Sequence, residues 1–200
     1  MPKLAALFLA LLIFIPSPSK GEDKDSFQTV APQYGWQHQL RLKTNFLPWL
    51  VAVPNIGAEY VMADKWSATL DVWYSPWKIS DKFSVKNAAV LPAVRFWFKD
   101  TTKGSYLNLH FNIAWFNVRF NDYRYQDRGT PLLGAGIGYG YRVNVNEHWG
   151  FEFEIGAGYS RVKYDRYYNI NNGALKDTRS TSYFGIDRAA ISLTYNLCDL

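Results

Sequence analysis

Cysteine, methionine and histidine are scarce in this chain, which contains one Cys, two Met and three His in 200 residues. The single cysteine, Cys198, excludes a disulfide framework and any metal site built from several thiolates. Long apolar runs are also lacking. The longest, residues 4–15, is shorter than the roughly 20 residues that a membrane-spanning helix needs. A bundle of transmembrane helices is therefore excluded, and the length favours a single domain.

Aromatic residues, by contrast, are abundant. They make up 18% of the chain, and 48% of all residues are hydrophobic. A chain with this much apolar surface does not remain disordered in water. The formal net charge is +5 at pH 7, a modest excess of basic residues.

The N-terminal segment has the composition of an export signal. Lys3 precedes the apolar run 4–15, and the small residues Ser17 and Ser19 follow it at positions suited to cleavage after Ser19. We predict a signal peptide over 1–19, an N-terminal periplasmic segment over 20–38, and an outer-membrane domain over 39–200. An uncleaved N-terminal anchor is the alternative.

Apolar and small or polar residues alternate with a period of two from about residue 39 onward, which predicts β-strands. The pattern is clearest over 149–160, where the odd positions are mostly aromatic or aliphatic and the even ones are Gly, Glu or Ser. Eight segments show it: 39–47, 55–62, 66–75, 88–98, 107–115, 133–144, 149–160 and 183–197.

The connections between these segments differ in length. Three are short (63–65, 99–105 and 146–148), and three of the alternate ones are longer loops (76–87, 119–131 and 165–182) beside a short first one at 48–54. Short turns at one end and long loops at the other are typical of outer-membrane barrels. We therefore predict an all-β fold, an eight-stranded antiparallel up-and-down transmembrane β-barrel. A soluble β protein with the same alternation is the alternative.

Two features favour the membrane barrel. The polar face is rich in Gly, Ser and Asn rather than in Lys, Glu and Thr, as expected for a confined interior. The apolar face carries aromatic residues at both ends of the segments, as in the interfacial girdles of such barrels. These are Trp66, Phe98, Tyr106 and Trp149 beside the short turns, and Phe46, Tyr74, Trp115 and Tyr159 beside the loops.

The polar face also carries charges of both signs. Because an eight-stranded barrel is just wide enough for its side chains to fill, these charges are expected to pair and close the interior. They are Arg41, Lys43, Glu59, Asp71, Arg95, His110, Arg142, Glu152, Glu154 and Arg188. A narrow gated conduit is the alternative.

Catalytic and metal sites are not indicated. His110 lies in the middle of its segment, but no Ser–His pair with an orienting acid is evident. Glu152 and Glu154 share one face, yet Arg95 and Arg142 are equally good ion-pair partners. We predict no catalytic residues, no metal site and no cofactor, and a protein that is not an enzyme.

The long loops are rich in basic residues interleaved with Phe and Tyr. Basic and aromatic side chains in these loops could bind the phosphates and carboxylates of lipopolysaccharide or of surface glycans. The candidate binding residues are Arg119, Arg124, Arg128, Lys163, Arg166 and Arg179. Solubilising loop charge is the alternative interpretation.

Short stretches distributed from about 42 to 195 resemble a known family. They are Leu42-Lys43-Thr44-Asn45, Pro54-Asn55-Ile56-Gly57-Ala58-Glu59, Lys65-Trp66-Ser67, Tyr74-Ser75-Pro76-Trp77, Arg95-Phe96-Trp97-Phe98, Tyr139-Gly140-Tyr141, Gly156-Ala157-Gly158-Tyr159 and Ala189-Ala190-Ile191-Ser192-Leu193. The chain resembles small outer-membrane β-barrel proteins of unknown function from gram-negative anaerobes, often encoded beside fimbrial genes. The resemblance implies a fold and a location, and it brings no activity and no catalytic residues.

The predicted function is that of a non-enzymatic structural or surface-binding barrel in the outer membrane. Its partners would be outer-membrane lipid and lipopolysaccharide, and a surface glycan, a host surface or a fimbrial protein, with no nucleic acid and a monomeric state. A narrow channel for small or amphiphilic solutes is the first alternative. A lipid-A-modifying enzyme and a soluble ligand-binding barrel are the others.

Overall fold

The computed structural model describes residues 39–78, 80–170 and 173–199. The predicted signal peptide (1–19) and periplasmic segment (20–38) lie outside the described residues. Among the described residues, no helix has the length and apolar character needed to cross a membrane.

The described chain is almost entirely β-structure. One short helix, α1 (Phe46–Trp49), follows the first strand, and the side chain of Asn45 caps it by accepting a hydrogen bond from Leu47 N at 3.1 Å. The strands are β1 (Gln39–Asn45), β2 (Asn55–Ala63), β3 (Trp66–Lys78), β4 (Phe83–Trp97), β5 (Gly104–Phe120), β6 (Tyr123–Asp127), β7 (Leu132–Asn144), β8 (Trp149–Tyr168) and β9 (Leu175–Asp199).

All strand pairings are antiparallel, and they close the sheet into a ring. From β1 to β5 each strand pairs with the next along the chain, β5 then pairs with β7, and β7, β8 and β9 follow in order. Pairing of β1 with β9, for example Leu42 opposite Tyr195, completes the ring. Because the ring is closed, each of its eight strands has a hydrogen-bonded neighbour strand on both sides.

The sheet has nine strands, so the prediction of eight was wrong by one. Eight strands form the ring, and the additional strand is β6. It lies within the predicted loop 119–131 and pairs with β5 and β8 beyond the start of β7. Its Tyr-Arg-Tyr alternation at 123–125 is itself a strand pattern.

The other two predicted loops are also mostly strand. The segment 76–87 contains the end of β3 and the start of β4, and 165–182 contains the end of β8 and the start of β9. Once two strands are paired in the ring, continuing the ladder requires no further closure of a long loop, so the added hydrogen bonds can offset the backbone entropy that each added residue loses. The end of the ring that carries the segments 76–87, 119–131 and 165–182 is called the hairpin end. The opposite end, which carries the connections 64–65, 98–103 and 145–148, is called the short-turn end.

The two faces of the sheet have opposite characters. In β8, Glu152 and Glu154 are buried, whereas Phe151 and Phe153 are 38% and 48% exposed. The charged residues therefore lie inside the ring, and the large apolar side chains lie on its outer surface.

Candidate functional site

Four charged side chains make the centre of the ring interior. Arg95 donates two hydrogen bonds to Glu152, at 3.0 and 2.6 Å, and Arg142 donates to Glu152 at 2.7 Å and also to Glu59. The Arg95 and Glu59 side chains come within 3.4 Å of each other. Each of these carboxylates therefore pairs with at least two guanidinium groups through charge-assisted contacts, which are stronger than hydrogen bonds between neutral groups.

These contacts join strands that are not neighbours. Only Arg142 and Glu152 lie opposite each other in adjacent strands. The side chain of Glu59 on β2 crosses the interior to Arg142 on β7, and that of Arg95 on β4 crosses it to Glu152 on β8. All four side chains are at most 1% exposed, and they fill the ring at this level.

A second layer of charges lies nearer the hairpin end. Asp71 accepts a hydrogen bond from Arg188 at 2.7 Å and pairs with Lys43 at 3.0 Å. Arg188 also contacts Glu154, and Arg95 donates to Glu154 at 2.7 Å. Glu154 thus connects the second layer to the central cluster.

Arg41 extends the cluster toward the short-turn end. Its guanidinium lies 3.6 Å from Glu59 and donates to Asn196 Oδ1 at 2.9 Å and to Gln39 Oε1 at 2.6 Å. We use the term interior network for the nine charged residues of these layers: Arg41, Lys43, Glu59, Asp71, Arg95, Arg142, Glu152, Glu154 and Arg188.

His110 is fully buried beside the network but does not pair with its members. Its Nδ1 lies 2.7 Å from Asn108 Oδ1, and its Nε2 lies 3.1 Å from Asp187 Oδ1. Asn112 donates to the other oxygen of Asp187 at 2.9 Å. In the part of the chain that the structure describes, no serine hydroxyl bonds to His110, so a serine–histidine pair is not formed here.

Two aromatic residues cover the central cluster, and sequence reasoning assigned one of them wrongly. Tyr106 was predicted on the outer girdle, but it is fully buried and donates from its hydroxyl to Glu154 at 2.8 Å. Its ring packs against Trp97, with 4.6 Å between centroids. The guanidiniums of Arg95 and Arg142 lie over Tyr106 and Trp97, at 4.3 and 5.0 Å. The parity of β5, in which even positions face inward, already indicated this orientation.

Glycines on β7 make the long interior contacts possible. Gly140 lies between Tyr106 and Glu154 in the cross-strand row, and a Cβ there would stand 2.1 Å from Cζ of Tyr106. Gly136, opposite His110, would bring a Cβ within 2.6 Å of Nε2 of that ring. Side chains of β5 therefore lie across the glycine face of β7 and reach β8 and β9.

Asp187 is the interior carboxylate that sequence reasoning missed. A β-bulge interrupts the pairing of β8 with β9, since Gly156 is opposite Arg188 while Ala157 is opposite Ile186. The bulge lets two consecutive residues, Asp187 and Arg188, both lie inside the ring. Strict alternation assigned only Arg188 to the interior.

Side chains do not fill the whole interior of the ring. The hairpin half contains a cavity of about 360 Å³, whose lining includes residues of the second layer. Trp73, Leu91, Leu132 and Val162 supply apolar surface.

The candidate loop residues lie in a projecting sheet formed by residues 117–120, 123–127, 164–168 and 175–179 of β5, β6, β8 and β9, or beside it. Three of them are paired with carboxylates: Arg128 lies 3.3 Å from Asp165, and Arg166 and Arg179 bond to Asp177 at 2.6 and 3.1 Å. Hydrogen bonds from Arg166 and then Arg179 hold the pKa of Asp177 below its ordinary value.

The other three candidate loop residues are Arg119, Arg124 and Lys163, and none of them has a carboxylate partner among the described residues. Arg119 lies opposite Arg124 in the projecting sheet, and the Arg124 guanidinium lies 4.6 Å above the Tyr167 ring. Lys163 is exposed on β8. Within the described ranges, no group of three or more His, Cys, Asp and Glu side chains could hold a metal ion.

Comparison with protein families gives one result. A family model described as "Protein of unknown function (DUF3575)" matches residues 26–197. The chain belongs to the DUF3575 family. Its match covers the interior network, the cavity and the projecting sheet, and confirms the predicted membership of an uncharacterised family. No curated protein is significantly similar to the chain.

Proposed function

We propose that this DUF3575 protein is an integral outer-membrane protein in which the eight ring strands form a transmembrane β-barrel. The observation that carries the proposal is the reversal of the two faces, with ion pairs inside and large apolar side chains outside. In water, this outer surface would be a very large exposed apolar patch. In a bilayer, it faces hydrocarbon, and closure satisfies the backbone polar groups.

The height of the outer apolar surface supports this placement. Apolar or small residues occupy the outward positions along one segment of the ring strands, and on β3, β4, β5, β8 and β9 charged or polar residues follow at the hairpin end. The segments include 66–74 on β3, 107–115 on β5, 133–143 on β7 and 149–159 on β8. Each falls within the about 9 to 11 residues that a tilted strand needs to cross a membrane.

Aromatic side chains stand at both limits of this surface. Trp66, Phe98 and Trp149 are 42–49% exposed at the short-turn end. Tyr74, Trp115 and Tyr159 are 41–60% exposed toward the hairpin end. Aromatic rings at two levels match the headgroup regions of the two leaflets.

The proposed activity is non-enzymatic binding of anionic envelope glycolipid by the hairpin end. Lys86, Arg119, Arg161 and Lys163 occupy outward positions of their strands just beyond the apolar surface, and none has an ion-pair partner among the described residues. Charges at this level face the phosphates and carboxylates of the outer leaflet. Lipopolysaccharide offers these groups at high density.

Two other functions are less well supported. A continuous channel requires a path through the central cluster, where Arg95, Glu59 and Glu152 are fully buried and in contact across the interior. A lipid-A-modifying enzyme requires a nucleophile with a base, and the described serines make no hydrogen bond to His110.

The membrane placement is tested by fractionating cells and comparing gel mobility of the unboiled and boiled protein. We expect recovery in the outer membrane and a heat-dependent shift in mobility, because a closed sheet resists detergent until heated. Recovery in the soluble periplasm without a shift would overturn the proposal.

Glycolipid binding is tested with a triple variant, Arg119→Ser, Arg161→Ser and Lys163→Ser. The control removes the same charge at the short-turn end through Lys65→Ser, Lys99→Ser and Lys103→Ser, three exposed side chains. Native mass spectrometry would measure lipopolysaccharide retained by the purified protein. At about 1 kcal/mol per cation, the hairpin variant should bind on the order of a hundredfold more weakly. Equal retention by both variants, or equal binding of dephosphorylated lipopolysaccharide by the wild type, would contradict the assignment.

A further inference from the structure

The cavity at the hairpin half of the ring has the features of a ligand site. Its volume of about 360 Å³ lies in the range of small-molecule pockets. Thr181 and Tyr183, both exposed, belong to its lining and provide an entrance from the hairpin end. The interior network and the packed pair Trp97 and Tyr106 close the other half, so the cavity is blind.

An unpartnered polar atom lies in the cavity lining. Arg188 is 9% exposed, its Nη2 bonds to Asp71 and its Nε contacts Glu154, but its Nη1 has no hydrogen-bond partner among the described residues. Leaving a buried donor unpaired is costly. Asn87 Oδ1, on the opposite side of the ring, is also buried and has no hydrogen-bond partner within the described part of the chain.

The charges of the lining restrict what can supply the missing partner. Three carboxylates, Asp71, Glu154 and Asp187, line the cavity with two cations, Lys43 and Arg188, and Arg95 supplies a third cation by donating to Glu154 at 2.7 Å. The charges around the cavity are therefore already balanced. A ligand carboxylate or phosphate would accept from Arg188 but would add an unbalanced negative charge to a poorly solvated space. A ligand ammonium would add an unbalanced positive charge and would leave Arg188 Nη1 unpaired. An uncharged oxygen acceptor satisfies Arg188 without either penalty.

The remaining lining indicates the body of the ligand. Trp73, Leu91, Leu132 and Val162, together with Ala89 and Ala114, form an apolar wall on β3, β4, β5, β7 and β8. Burial of hydrocarbon against this wall is favourable. We infer that the cavity binds a small uncharged amphiphile, with an amide, ester or hydroxyl head at Arg188 and a hydrocarbon body against the wall. This site is separate from the glycolipid-binding residues of the proposed function.

The test uses the full chain in lipid nanodiscs and three bromine-labelled probes of equal chain length. They are 6-bromohexanamide, 6-bromohexanoate and 6-bromohexylammonium. Bromine quenches nearby tryptophan fluorescence, and Trp73 is the tryptophan that lines the cavity. We expect saturable quenching by the amide, at least about tenfold tighter than by either charged probe, and its loss in Trp73→Phe.

Matched variants locate the site. Ala89→Phe places a ring in the cavity, whereas Ala88→Phe adds the same ring at the adjacent outward position. Saturable quenching should vanish in Ala89→Phe and persist in Ala88→Phe, with both variants retaining the heat-dependent mobility shift. Arg188→Lys, which keeps the charge and removes Nη1, should weaken the amide several-fold.

Three results would overturn the inference. They are tighter binding of a charged probe, equal quenching in the two Phe variants, and the lack of a saturable phase in the wild type. The outcome does not depend on the glycolipid-binding residues, since the triple Arg119, Arg161 and Lys163 variant should bind the amide normally. Failure of one proposal is therefore distinguishable from failure of the other.

Discussion

Tyr106 on β5 donates a hydrogen bond to Glu154 on β8, two strands away, by lying across Gly140 of β7. The hydroxyl of Tyr106 is thereby joined to the carboxylate that links the two layers of the interior network. An aromatic ring, a glycine and a buried charge thus form one cross-strand unit, and each depends on the others.

This unit predicts the cost of two substitutions. Tyr106→Phe removes a hydrogen bond to a charged group and should lower the free energy of unfolding by about 1.5–3 kcal/mol. Gly140→Ala places a methyl group against the Tyr106 ring and should cost about 1–3 kcal/mol. Urea unfolding in lipid vesicles measures both. Tyr141→Phe, at an exposed neighbouring position, is the control, and a cost equal to that of Tyr106→Phe would contradict the assignment.

Glu152 is the acceptor on which the central cluster depends. Glu152→Gln leaves Arg95 and Arg142 with an uncharged neighbour in the buried interior. Breaking a buried ion pair from one side typically costs about 3–5 kcal/mol, and we expect a loss of that size in urea unfolding. Glu147→Gln in the exposed 145–148 turn should change stability by less than about 0.5 kcal/mol. Similar stabilities of the two variants would show that the cluster does not support the ring.

The pairing of Asp177 with Arg166 and Arg179 makes the projecting sheet sensitive to acid. Because hydrogen bonds from these arginines lower the pKa of Asp177 below its ordinary value of 3.8, the pairing is complete above that value and is lost as the pH falls through the lowered pKa. The ¹⁵N shift of Arg166 Nε should therefore change with a midpoint below 3.8. Asp177→Asn should abolish that transition, and a wild-type midpoint above 3.8 would refute the prediction.

Because the central cluster is packed across the interior, we expect that the protein does not conduct ions. Purified protein inserted into a planar bilayer should show no discrete conductance steps, since Arg95, Glu59 and Glu152 occupy the interior without exposed surface. A general porin inserted under the same conditions serves as the positive control. Reproducible steps from the wild-type protein would favour the narrow channel instead.

Much of the fold follows from the sequence because alternation is a local property. Each residue of a strand faces opposite to its neighbours, so the pattern around Glu152 and Glu154 indicates which face is polar without knowledge of the partner strands. The same parity assigns Arg95 and Arg142 to the interior, where the structure has them. The chain alone therefore determined an all-β protein with charged residues on one face and apolar residues on the other.

Other features were decided only by the tertiary structure. The parity of β9 changes at a bulge whose position depends on the register with β8, so Asp187 could not be assigned to the interior from its neighbours. The contact of Glu59 with Arg142 crosses a closed ring, and sequence spacing carries no information about that distance. The strand β6 forms because β5 and β8 extend past the ring and offer their edges to it.

The cavity beside Arg188 was also decided only by the tertiary structure. Sequence gives the residues that face inward, but the space left between them depends on which side chains cross the glycine face of β7 and which pairs they form. Local periodicity thus determined the two faces of the sheet. Closure, register and the long side-chain contacts determined what the interior holds and where it stays empty.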